Sequence, residues 1–150
     1  MARMVGRHGA WLLGVVCEAF FVLAEVPIAR AEAGHVGATQ LTGVWRGTSL
    51  CTDFIAAPAC HDETVVYQFT AGSQPGTVHW VADKVVNGQR QPMGEMELEY
   101  DKAEGCWKGS FTSPRVKSVW RLSVDGARLS GTARLLPGNQ TIRKLELRKE

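Results

Sequence analysis

The chain has 150 residues, with 17 Lys and Arg against 15 Asp and Glu, for a formal net charge of +2. About 117 residues follow the leader proposed below, room for one domain with a real core. No repeat, low-complexity tract or long linker appears after Gly34, which excludes solenoids and multi-module chains.

Residues 1–33 read as a secretory leader. Arg3, Arg7 and His8 form a basic start, and Ala10–Ala24 an apolar run. Ala29-Arg30-Ala31 and Ala31-Glu32-Ala33 offer overlapping small-x-small cleavage sites. The apolar run carries Glu18 and is shorter than the ~20 residues a spanning helix needs, so cleavage is expected rather than a retained anchor. Val16 before Cys17 argues against lipid modification of that cysteine. The expected location is secreted or periplasmic, with membrane contact only through an uncleaved leader. A polar lead-in over 34–40 then precedes a single β domain over 41–150.

The domain's charge is uneven. Residues 34–104 hold four Lys/Arg against nine Asp/Glu, net −5, and residues 105–150 hold ten against three, net +7. Turn signals recur at nearly even spacing, at Gln74-Pro75-Gly76, Asn87-Gly88, Glu104-Gly105, Ser113-Pro114, Asp125-Gly126 and Pro137-Gly138-Asn139. Alternation between them predicts strands over 41–50, 63–71, 77–86, 94–101, 105–112, 116–124, 127–136 and 140–149. No helix pattern is convincing. Eight short hairpin-linked strands point to an all-β, antiparallel up-and-down barrel, since closure removes exposed edges; a β-sandwich is the alternative.

Three cysteines follow the leader. Cys51 and Cys60 flank the only long connection and are expected to pair, whereas Cys106 is a spare thiol, an intermolecular bridge or the true partner of one of them. No C-x-x-C pair or dense Cys/His spacing argues for a metal or redox site.

Gly43-Val44-Trp45 opens the first strand. A Gly-x-Trp there resembles the calycin superfamily of lipocalins, avidin-like proteins and small bacterial inhibitors. The resemblance implies that Trp45 plugs one barrel end beneath a cation of the last strand, here Arg143 or Arg148. The wider pattern resembles uncharacterised secreted bacterial proteins through Gly43–Cys51, Cys60–Glu63 with Val65-Val66-Tyr67, and Ile142–Arg148. The other lipocalin signatures are missing, so the likeness is to a structurally similar outlier group. It implies a fold and a binding role, with no catalytic residues.

The expected interior is Trp45, Tyr67, Phe69, Trp80, Met96, Tyr100, Trp107, Phe111 and Trp120. Of these, Tyr67, Trp80, Met96, Tyr100, Trp107 and Trp120 are the candidate ligand contacts for a small apolar or aromatic molecule. A core filled by its own side chains is the competing expectation. His61-Asp62-Glu63, with His79 nearby, is weighed as a metal or acid/base cluster and read as a polar rim. Lys117, Arg121, Arg128 and Arg134 share outward parity, with Lys144 extending them, as a basic outer wall for an anionic envelope component or protein partner. Nucleic acid is not expected, since no aromatics interleave on that face. Asn139-Gln140-Thr141 matches a glycosylation sequon, relevant only in a eukaryotic host. No catalytic residue, metal or cofactor is assigned. The chain is thus expected to be a secreted or periplasmic binding protein; the alternative is a filled-core interaction protein, an envelope-component binder or protease-inhibitor-like, acting through loops or the basic outer wall.

Overall fold

The structure, a computed structural model, describes residues 32–150 apart from Arg115, and the side chains of 32–36 are likewise not described. The expected leader therefore lies outside the described residues except for its last two positions. A helix, α1 (Glu32–Leu41), precedes eight strands: β1 (Gly43–Cys51), β2 (Glu63–Ala71), β3 (Thr77–Val86), β4 (Gln89–Asp101), β5 (Cys106–Thr112), β6 (Lys117–Asp125), β7 (Arg128–Leu135) and β8 (Thr141–Lys149). Each strand pairs antiparallel with the next, and β8 returns to β1, closing the up-and-down barrel expected from the alternation. Closure gives every strand two neighbours, although β4 and β5 pair only from Glu99–Asp101 to Cys106–Lys108.

Turn chemistry sets the strand limits. Asn87 and Gly88 take φ of 52° and 77°, the left-handed pair that a two-residue hairpin demands. β4 begins at Gln89, five residues before the sequence suggests, because Pro92 lies at a bulge instead of ending the strand. There Ala82 faces Gly94 and Asp83 faces Pro92, leaving Met93 as the extra residue. A second bulge between Ala133 and Arg134 leaves Ile142 extra on β8. Both lie toward one end of the barrel, where bulges re-aim neighbouring side chains.

The opposite end is closed. The lead-in expected over 34–40 is helical, and Leu41, its last residue, is fully buried as a floor. Two glycines and a short apolar face weaken the helix signal in the sequence. Packing supplies the missing stabilisation: Ala38 sits against the core and Gly37 beneath Trp107. Trp45 is fully buried and donates its indole N–H to the Leu41 carbonyl at 2.7 Å. The cation over its ring is Lys149, with Nζ 5.3 Å from the centroid and donating to the Gln40 carbonyl at 3.0 Å.

Neither Arg143 nor Arg148 takes the place expected for that cation. Arg148 pairs across to Arg46 on the outer wall, and Arg143 lies opposite Cys51 at the far end of β1. Inward parity from Trp45 on β1 reaches β8 at Lys149, one residue beyond the motif's expected cation.

Outside the floor, Lys108 Nζ bonds Asp101 and Glu104, each at 2.7 Å, and Arg121 bonds Glu104 at 2.9 Å, lacing β4, β5 and β6. The Lys108 hydrogen bond, then the Glu104 N–H, hold the Asp101 carboxyl below its ordinary value. Lys108, then Arg121, do the same for Glu104.

Two predictions follow from these contacts. Trp45→Ala removes the floor and should cost about 3–5 kcal/mol in urea unfolding, whereas Lys149→Met should cost no more than about 1 kcal/mol. Asp101 and Glu104, depressed in the fold, contribute stability above their ordinary values of 3.8 and 4.5 and lose it as pH falls through the lowered ones. The unfolding midpoint should therefore drop below about pH 4, and Asp101→Asn with Glu104→Gln should flatten that drop.

Candidate functional site

The open end is framed by the β1–β2 loop and by the turns after β3, β5 and β7. Below it the barrel holds a cavity of about 140 Å³, lined on one side by Trp80, Met93, Met96, Phe111 and Trp120. An apolar void of about 150 Å³ holds a benzene ring, so this space takes one ring or its equivalent. Above it, a groove of about 530 Å³ shares Phe111, Trp120 and Arg143 with the cavity and runs beneath residues 56–60. The barrel is thus filled at its floor and hollow toward its mouth.

Aromatic contacts order the apolar side. Trp80 stacks on Phe69 at 5.7 Å between centroids and meets Tyr67 and Trp120 edge-on at 4.8 and 5.1 Å. The Trp120 indole N–H donates to the Ser118 hydroxyl at 3.0 Å. Trp80 Nε1 is buried and has no hydrogen-bond partner. An orphaned buried donor costs about 1–3 kcal/mol.

The other side is polar. Arg143 Nη1 donates to the Ser49 hydroxyl at 2.8 Å and pairs with Glu63 at 3.1 Å. Both charged side chains are more than four-fifths buried. Tyr67 shares a hydrogen bond with Ser49, and burial keeps its phenol above its usual range despite Ser49 and the Arg143 charge. Tyr67 therefore stays protonated, and Arg143 and Glu63 cancel. The polar cluster of Ser49, Glu63, Tyr67 and Arg143 thus carries no net charge.

Of the six contacts expected from sequence, Tyr67, Trp80, Met96 and Trp120 line the cavity. Tyr100 and Trp107 do not: their rings pair at 5.3 Å over the floor, because they lie at the closed ends of β4 and β5. Sequence reasoning missed Ser49, Glu63 and Arg143 as members of the site. The signal was present: Arg143 shares parity with Leu145 and Leu147, and a charge on an inward parity needs an interior partner.

The His61-Asp62-Glu63 cluster is divided by the fold. His61 is exposed, Asp62 accepts the Cys51 N–H at 2.8 Å, and Glu63 turns inward to Arg143. His79 is far from them on the outer wall, bonded to Glu97 at 3.0 Å and facing Glu95. Cys51 and Cys60 stand at disulfide geometry, Cα–Cα 6.0 Å, and Cys106 is a free, buried thiol. Burial, then the neighbouring Glu104 charge, raises its pKa, which makes it a poor nucleophile.

Lys117 and Arg121 on β6 and Arg128 and Arg134 on β7 lie on the outer face of two paired strands, spread from mouth to floor, with Lys144 next to them on β8. Arg121 is bound to Glu104, and Arg128 lies opposite Asp125. Closure also aligns Arg46, Arg148 and Arg128 at one level of β1, β8 and β7, beside Thr48, Ser130 and Glu146. Strands β1 and β7 have no adjacency in sequence, which hides this row from a linear reading.

No protein-family profile matches the chain, and no curated protein or solved structure is significantly similar to it. The closed, eight-stranded antiparallel barrel is consistent with the calycin type of fold.

Breaking the inner ion pair tests this geometry. Arg143→Met or Glu63→Gln alone should destabilise by about 2–3 kcal/mol, since each strands a largely buried partner. The double variant should cost less than the sum of the two, as measured in a denaturation cycle.

Proposed function

We propose that this protein is a secreted or periplasmic calycin-like binding protein whose open end takes one small, neutral, ring-sized molecule carrying a hydrogen-bond acceptor. The observation that carries the reading is the unpartnered indole N–H of Trp80 beside a cavity of about 140 Å³. The apolar wall supplies stacking, and the orphaned donor supplies orientation, the usual division of labour in small-molecule sites. Neutrality follows from the cluster opposite. Glu63 already compensates Arg143, so an anionic ligand would meet a carboxylate as well as a guanidinium. The leader pattern and the paired Cys51 and Cys60 support a compartment outside the cytoplasm.

Tryptophan emission should respond saturably to single-ring carbonyl compounds such as acetophenone, more weakly to toluene, and least to benzoate. Trp80→Phe should erase the preference of acetophenone over toluene. Ala82→Leu, which fills the cavity from β3, should abolish both responses. Flat titrations with all three compounds would remove the cavity as a binding site.

A further inference from the structure

The five exposed large apolar side chains among the described residues all gather at the open end. Leu50 ends β1, Phe54 and Ile55 occupy the β1–β2 loop, Val116 precedes β6 and Leu136 follows β7. Phe54 is 60% exposed and Ile55 94%. Scattered single apolar residues need no explanation, but a collar confined to one end does.

The loop that carries Phe54 and Ile55 is built to hold them outward. Cys51 and Cys60 tie its base, and the Thr52 hydroxyl donates to the Thr141 carbonyl at 2.8 Å. Asp53 Oδ1 accepts the backbone N–H groups of Ile55 and Ala56 at 3.0 and 2.8 Å. Ala57 and Cys60 close successive turns through N–H donation to the Asp53 and Ala57 carbonyls. A pinned loop cannot fold these side chains away, so their exposure is fixed by the structure.

Charge identifies the partner. Lys144 is the cross-strand neighbour of Leu50, and Lys117 follows Val116 and accepts the Leu136 N–H at its carbonyl. Both lysines are exposed, so each apolar tip on this side stands next to a cation. Of the acids at the same end, Glu63 is paired with Arg143 and Asp83 with Arg90, while Asp53 and Asp62 keep their charge on the opposite side of the rim, where they accept backbone N–H groups. We propose that the open end docks on an anionic lipid surface, with Phe54, Ile55, Val116 and Leu136 entering the acyl boundary and Lys117 and Lys144 at the headgroups. Docking stands on the rim alone and goes beyond the cavity's ligand, although it would bring the mouth against the bilayer.

The test is co-sedimentation of the protein, secreted from an oxidising host, with vesicles of phosphatidylethanolamine and phosphatidylglycerol or of phosphatidylcholine alone. Binding to the anionic vesicles is expected to be stronger. It should fall about tenfold or more in Phe54→Asp with Ile55→Asp and persist in Ile55→Trp, with near-ultraviolet circular dichroism verifying each fold. Failure of the parent to bind anionic vesicles would overturn the proposal. So would equal binding by the double aspartate variant, which would place the contact elsewhere in the chain. A dimer in sedimentation velocity that the double variant dissolves would assign the rim to a second copy and overturn it too.

Discussion

Everything in this molecule depends on the seam between β1 and β8. Seven residues of β1, from Trp45 to Cys51, face seven of β8, from Arg143 to Lys149, in antiparallel register. Gly47 lies within it, and a Cβ there would fall 2.0 Å from the Glu146 carbonyl oxygen. A larger residue would force the strands apart where an up-and-down sheet has no other way to close. The seam sets both ends at once, seating Lys149 over Trp45 at the floor and carrying Arg143 to Ser49 near the mouth.

The two ends then diverge because their polar groups are satisfied differently. At the floor, the Trp45 N–H meets the Leu41 carbonyl, Lys149 meets the Gln40 carbonyl, and the large rings pack against a helix. Toward the mouth, two bulges interrupt the register, Ala82 and Gly94 face each other with little side chain between, and the Trp80 N–H has no partner. Hollow space and an unpartnered donor thus occur at the same end of the barrel.

The sequence made the strands legible because each buries one face, so alternation and turn residues agree on every hairpin. The interior aromatics were legible for the same reason. Three features were not. Helix α1 depends on packing against Trp107 and the core more than on its own pattern. Assigning Lys149 instead of an arginine to Trp45 required the register of closure, which no linear spacing reveals. The separation of Tyr100 and Trp107 from the cavity depended on which barrel end is plugged, and alternation carries no information about height along the axis.

The Arg143–Glu63 pair shows why the polar side of the cavity has consequences beyond stability. Two apolar side chains could fill the same space at lower desolvation cost, since an enclosed ion pair commonly only breaks even against a hydrophobic replacement. What the pair adds is a fixed arrangement of donors: Arg143 orients the Ser49 hydroxyl, and Ser49 engages Tyr67. Each member holds the next, so the polar wall keeps one geometry opposite the aromatic wall. For the ligand proposed above, a stiff polar face opposite a stacked apolar face would select by shape and by the placing of polar groups together. On that proposal, breadth of binding should be narrow for a barrel this small.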